Sequence, residues 1–346
     1  MIRIGTRSSP LALIQASLVR DALALAHPHK RIEIIPFTTR GDQTTKSLHD
    51  IGGKALFTKE LQDALLTNTI DAAVHSLKDV ELHDLPLVLG AYLTREAPRD
   101  VLITQKDHVI PVSPSVSLTS PSVSLGLPVR PKPLGEGGDP RAHTSWAQAH
   151  GSFDHVGGKL NLGTCSPRRA SQAKLAWPEI TIVDLRGNVG TRLQQVVDGK
   201  IDATILAAAG LTRLGLMDDA FAEKYPTLQQ TALSIETFIP AAGQGVIAIE
   251  CRPGDAALFA PINDPNTAYC AQLERQFSKH LGGSCRTALG AHVRFVGGDS
   301  VNDSNKSIEV LAFFEGRTLT RTFKVDDGDA ADLANEIHAM ADALKG

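Results

Sequence analysis

The chain has 346 residues, 42% hydrophobic and 21% charged, which is enough apolar material for more than one core. Its formal charge of -3 gives no whole-molecule attraction to nucleic acid or to an anionic membrane, so any basic site has to be local. The four cysteines (Cys165, Cys251, Cys270, Cys285) stand far apart with no CxxC pair, which argues against a metal site or a disulfide framework.

No apolar run approaches the roughly 20 residues that span a bilayer. MIRIGTRSSP carries no charged stretch leading into an apolar one. The expectation is a cytoplasmic protein without nucleic-acid or membrane partners. Short β-branched runs then alternate with helical patterns: Ile2 to Thr6, a helix from Pro10 to Ala26, Ile32 to Phe37, a helix near Leu56 to Asn68, and Asp71 to His75. This βαβ rhythm predicts an α/β fold with a mostly parallel sheet. Pro111 to Asp139 is rich in Pro, Ser and Gly and repeats SPSVSL, a composition that reads as an exposed insertion. The rhythm resumes at Lys159 to Gly163, with a helix from Pro167 to Ala176, a strand from Ile180 to Leu185, a helix from Val189 to Asp198 and a strand from Ala203 to Ala207. Ala288 to Phe295, Ile308 to Phe314 and Thr318 to Val325 then alternate like antiparallel strands, and an amphipathic helix runs from Ala330 to Leu344, so a small α+β domain closes the chain.

One echo relates the two βαβ regions. Ile4 to Ala16 and Leu162 to Ala173 share a strand, Gly-Thr, Ser-Pro and a helix bearing Gln-Ala. Ser9 and Ser166 are natural N-caps and Pro10 and Pro167 suit the first helical position. Two like-built lobes would each aim a helix N-terminus at an anion. Arginines crowd the same turns: Arg7, Arg168 and Arg169, and Arg186 with Asn188 and Arg192 in RGNVGTR. Arginine in a first turn opposes the helix dipole, a penalty that a bound anion reverses. Several converging guanidinium groups suit a ligand with several carboxylates or phosphates, the alternative being ion pairs with Asp184, Asp198 and Asp202.

Gly52-Gly53-Lys54 with Lys59 reads as a loop bearing cations, and its spacing is not that of a Walker A loop. Lys78 and Asp79 follow an apolar strand at its carboxyl end, where open α/β sheets place ligands, and a carboxylate there can hold a protonated amine. Cys285, in the loop Leu281 to Arg286, is a candidate nucleophile or attachment point, whereas Cys251 and Cys270 read as packing residues.

Taken in order, TRSSPLA, TRGD, GGKALFTKEL, AVHSLKD, SPRR, LRGNVGTRL, PAAGQG, IECR and the Gly-Gly-Ser-Cys loop resemble the porphobilinogen deaminases. The resemblance spans Ile2 to about Leu289, broken by the insertion. It implies two lobes like those of periplasmic binding proteins, a third domain, and a dipyrromethane cofactor on a thioether to Cys285. The implied division is 1-98 with 236-254, then 99-235, then 255-346. By the same resemblance Asp79 is the catalytic aspartate, with Lys78 and Arg7 beside it. Ser9, Lys54, Lys59, Ser166, Arg168, Arg169, Arg186, Asn188, Arg192 and Gln244 bind the acetate and propionate groups of cofactor and growing chain. The implied activity joins four porphobilinogen molecules with loss of ammonia and releases hydroxymethylbilane. A monomer handing its product to uroporphyrinogen-III synthase goes with it; the alternative is a non-enzymatic anion-binding protein of the same two-lobed fold. Ser284 before the cysteine, Glu81 where the family more often has proline, and the insertion depart from the family pattern.

Overall fold

The computed structural model describes residues 1–38, 58–80, 85–107, 160–284, 287–298, 300–303, 306–325 and 330–345. The insertion, Lys54, Glu81 and Cys285 lie outside the described residues.

The first lobe starts with β1 (Ile2–Arg7), α1 (Pro10–Ala26) and β2 (Ile32–Phe37), followed by α2 (Lys59–Leu66), β3 (Ala72–Ser76), a 3-10 turn (Leu77–Asp79) and β4 (Val88–Tyr92). Helix α1 starts where it does because the Ser9 hydroxyl accepts from Ala12 N and Pro10 needs no donor partner. Its buried stripe Ala16, Val19 and Leu23 packs with Ile2, Ile4, Val74 and Ile249 on one face of the sheet. Leu61 and Leu65 of α2 cover the other face with Ile70 and Ala73.

The second lobe holds β5 (Asp100–Gln105), β6 (Asn161–Gly163), α3 (Pro167–Ala176), β7 (Thr181–Val183), α4 (Val189–Val197), β8 (Ala203–Ala207), α5 (Ala208–Arg213), α6 (Asp218–Lys224) and β9 (Leu228–Ala232). Val101 and Ile103 of β5 join one core and Leu102 the opposite one, as a strand buried on both faces requires.

The two sheets have the same plan. Strand order is β2-β1-β3-β10-β4 in the first, where β10 is Ile247–Cys251, and β7-β6-β8-β5-β9 in the second. Three strands pair in parallel, then one reversed strand makes antiparallel ladders on both its edges. Four of the five strands in each sheet therefore run one way, which is the mostly parallel arrangement expected from the βαβ rhythm. The reversed strand is the one each lobe receives from across the molecule: β5 follows directly on β4, and β10 follows β9. Two crossing segments, 93–99 and 233–246, link the lobes side by side; Glu96 N donates to Gly245 O at 3.1 Å and Leu233 N to Asp100 O at 2.9 Å.

After β10, α7 (Ala256–Phe259) packs Phe259 into the core of the first lobe, and the third domain follows with α8 (Pro265–His280), the antiparallel sheet β11 (Leu289–Gly297), β12 (Ser307–Phe314) and β13 (Arg317–Lys324), and α9 (Ala330–Lys345). Phe277, Val293, Val310, Ile337 and Met340 form its core, and the far face of β12 packs Leu311 and Phe313 against Ile239 and Leu175. Among the described residues no helix is long and apolar enough to cross a membrane.

Candidate active site between the lobes

The repeated turn has a local cause. After β1, Thr6 Oγ1 donates to Ala12 O and Ser9 caps α1; after β6, Thr164 Oγ1 accepts from Ser166 N and Ser166 Oγ accepts from Arg169 N. The two glutamines of the echo are buried and used alike. Gln15 exchanges hydrogen bonds with Ser76 at 2.8 and 3.2 Å, and Gln172 donates to Ile239 O and accepts from Ile239 N at 3.0 and 2.7 Å. Each helix is thereby fastened to the segment leading into the space between the lobes: the end of β3 for α1, the second crossing segment for α3.

At the centre lies a residue that sequence reasoning missed. Asp100 is fully buried at the first position of β5. Its Oδ2 accepts from Arg168 Nη2 at 2.7 Å, and its Oδ1 from Arg169 Nη2 at 2.7 Å and Nε at 3.2 Å. Gln244, on the second crossing segment, donates to Oδ1 at 3.1 Å and to Pro98 O at 2.6 Å, and its own Oε1 accepts from Lys78 Nζ at 3.4 Å. Lys78 from the first lobe thus meets Arg168 and Arg169 from the second around one carboxylate. The only signal in the sequence was an acid opening an otherwise apolar strand, DVLITQ.

The electrostatics follow from this crowding. Burial pushes the Lys78 ammonium down to about 8, Arg169 and Arg168 add to the effect, and Asp79 and Asp100 offset part of it. Burial alone would raise Asp100, but the two guanidinium groups, helped by Lys78, hold it well below the usual carboxylate range. Arg192 is lowered by burial, and its charge interacts with Cys165, Arg169 and Asp79. Its Nε donates to Gly187 O at 2.8 Å, a turn that Gly187 makes with φ of 102°.

The predicted residues therefore separate into groups. Lys78, Asp79, Arg168, Arg169, Arg192 and Gln244 are brought together, with Asp79 exposed at the end of the 3-10 turn. Arg168 is 4% exposed and also donates to Ile239 O at 2.7 Å, over the Phe238 ring. Ser9, Ser166 and Asn188 use their side-chain oxygens as N-caps. Arg7 ends β1, one residue from the Ser9 turn. Lys59 pairs with Asp63 on its own helix at 3.1 Å, and Arg186 reaches Asp184 at 3.1 Å. Cys251 and Cys270 are buried, their thiols raised by burial to about 11 and about 12, and Cys165 is half-buried beside Arg192. Among the described residues no three His, Cys, Asp or Glu side chains form a group that could hold a metal.

Helix α8 joins the third domain to this region through neighbouring residues. Glu274 is fully buried and takes both arms of Arg95, at 2.7 and 2.6 Å, while Gly243 N and Val293 N donate to it at 2.7 and 2.8 Å. Arg275 Nη1 donates to Val80 O at 2.8 Å, directly behind Asp79.

The family model described as "Porphobilinogen deaminase, dipyromethane cofactor binding domain" matches residues 2–123 and 140–260. A porphobilinogen deaminase of Thiobacillus denitrificans is 37% identical over 350 residues, 99% of this chain and 94% of that protein. One of Stenotrophomonas maltophilia is 37% identical over 303 residues, covering 86% of this chain and 83% of its own length. One of Coxiella burnetii is 36% identical over 335 residues, 95% and 90% respectively. Among solved structures, an arginine transport-system periplasmic binding protein from Legionella pneumophila is similar over 76% of this chain and 90% of that chain, with 14% identity and a TM-score of 0.36, a distant likeness.

Proposed function

The chain belongs to the porphobilinogen deaminase family, and from that premise we propose how its residues carry out the family's reaction. The activity is that of a transferase of tetrapyrrole biosynthesis. Porphobilinogen units are condensed one after another, with loss of ammonia, on a covalently bound dipyrromethane, and hydroxymethylbilane is released by hydrolysis.

The residues present fit such a cofactor. Each pyrrole brings two carboxylates, and the described cleft holds Lys78, Arg168 and Arg169 around a single buried carboxylate, with Arg192 near them. Desolvated cations in excess of their internal counter-charge suit a carboxylate-rich occupant. When bound, the cofactor supplies the nucleophilic pyrrole carbon to which the first substrate is joined. Arg169, Arg192 and Lys78 bind acetate and propionate groups, and the family resemblance gives the same role to Arg7, Arg186, Lys54 and Lys59. Arg168 fixes the pair rather than facing solvent. Ser9, Ser166 and Asn188 order first-turn N–H groups that face the same anions. Cys285 carries the thioether.

Asp79 does the chemistry. Its carboxylate accepts a hydrogen bond from the protonated amine of porphobilinogen and orients it. The C–N electron pair then leaves with ammonia, and the same carboxylate stabilises the cation left on the substrate; the carbon that joins it would come from the bound dipyrromethane, with release of a proton. The division into 1-98 with 236-254, 99-235 and 255-346, a monomeric cytoplasmic enzyme, and transfer of product to uroporphyrinogen-III synthase belong to the same reading.

The observation that carries the proposal is the meeting of Lys78 and Asp79 from one lobe with Arg169 and Arg192 from the other. Intact-mass measurement tests it: purified protein should carry added mass equal to two pyrrole units, and Cys285→Ser should lack it. Asp79→Asn should keep its cooperative unfolding and lose turnover by at least about 10²–10³-fold. Unmodified mass in active protein, or near-normal turnover without Asp79, overturns the proposal.

A further inference from the structure

The geometry points to Asp100 as the positioning residue of this cleft, a buried carboxylate that aims Arg169 and, through the Gln244 amide, holds the Lys78 ammonium in place beside Asp79. This deepens the function proposed above and rests on it for the identity of the reacting group.

Asp100 stands where β5, the start of α3 and the second crossing segment converge. It opens β5, its carbonyl receives Leu233 N from the second crossing segment, and its side chain joins Arg168 and Arg169 at the start of α3 to Gln244 on that segment. Only one oxygen serves Arg168, whose other arm is spent on Ile239 O; the second oxygen is shared by Arg169 and Gln244. A carboxylate whose sole task was to neutralise Arg168 would not need the second set of partners. That set leads outward: the Gln244 amide has its nitrogen on Asp100 and Pro98 O, so its oxygen is turned to Lys78. The amide orientation is fixed by two acceptors on one side and a cation on the other.

Among the described residues, the charged groups that act on Lys78 are Asp79 on its own turn, Asp100 on β5, and Arg168 and Arg169 on α3. Without the Asp100 charge, the two guanidinium groups still repel the ammonium while one of the two described carboxylates that oppose them is gone. Lys78 should then lose its proton more readily, and Arg169 should lose its fixed direction.

The test uses the full chain and reads Lys78 directly. Brief acetylation at a series of pH values, followed by peptide mass analysis, gives the pH at which the Lys78 amine is half-labelled, and needs neither cofactor nor turnover. Wild-type protein should be half-labelled near pH 8. Asp100→Asn should move the midpoint down by about one unit and shift the alkaline limb of the kcat profile with it. Asp100→Glu keeps the charge but displaces the guanidinium groups, so its midpoint should stay near that of wild type while kcat/KM falls about 10-fold. If Asp100→Asn does not fold, Gln244→Leu, which cuts the relay without stranding a charge, should also lower the midpoint. An unmoved midpoint in Asp100→Asn or, in its place, Gln244→Leu, or wild-type kcat and KM in Asp100→Glu, overturns the assignment. A wild-type mass without pyrrole units defeats the proposed function instead and leaves the Lys78 midpoint to be read as before.

Discussion

Replacing Glu274 by Gln should loosen the molecule at the place where its third domain grips the crossing segments. Glu274 is fully buried, receives both arms of Arg95 and two backbone N–H groups, and lies 3.2 Å from His292 Nδ1. Burial works against its charge, but Arg95 and His292 prevail and take its pKa from 4.5 to about 2. That lowering is worth roughly 3 kcal/mol. Because the folded pKa is depressed, this stability is fully present above about pH 4.5 and is lost as pH falls towards 2. The Gln variant has the same shape but leaves the Arg95 guanidinium, 12% exposed, without its counter-charge. Breaking a buried pair in this way costs about 3–5 kcal/mol, a large share of the roughly 5–15 kcal/mol that holds a domain together. Urea unfolding followed by circular dichroism should show that gap at pH 7. By pH 3 it should narrow by roughly 2 kcal/mol, since the wild type has given up most of what the charge supplied and the amide has nothing to give up. A gap below about 1 kcal/mol at pH 7, or one that does not change with pH, would refute the reasoning.

Lys78 should show the opposite sign. A cation whose pKa is depressed from 10.5 to about 8 weakens the fold at neutral pH, and the penalty is relieved only as pH rises through 8 towards 10.5. Lys78→Met should therefore be inactive yet more stable by about 1–3 kcal/mol at pH 7, with the advantage shrinking by pH 10; calorimetric melting checks this, and a variant that melts below wild type at pH 7 contradicts it. Gly245→Ala strikes the crossing itself. With φ of 89° and a Cβ that would lie 2.3 Å from Glu96 O, the substitution should cost at least about 2 kcal/mol; a melting temperature within about 2 °C of wild type counts against that steric argument.

Much of the fold was written locally. The Ser-Pro turns gave the starts of α1 and α3 because capping and proline chemistry act within four residues, and β12 alternates from Ser307 to Val310 before both its faces are buried. Strand β7 is shorter than its apolar run suggested, because only Thr181 to Val183 face β6. The reversal of β5 and β10 could not be read, since DVLITQ and IAIEC are buried on both faces and a buried strand carries no mark of its direction. The site divides in the same way. Ser9, Ser166 and Asn188 are legible as caps, whereas Asp100 meets arginines 68 and 69 positions away. Glu274 carries no local mark, because its partner Arg95 lies 179 positions away. Lys59 shows the converse: a neighbour at i+4, Asp63, claims it locally.

The exchange of one strand between the sheets also orders events on the ribosome. Strand β4 leaves the exit tunnel about 150 residues before β10, which must slide between it and β3 to complete the first sheet. At roughly 5–20 residues per second the half-built sheet waits about 8–30 s with the facing edges of β3 and β4 unsatisfied. The second lobe is complete once β9 emerges and can fold first, although it is synthesised later. Nascent chains stalled before Ile247 should therefore depend on protection of those edges, and permuting the chain to start in the second lobe would abolish the wait.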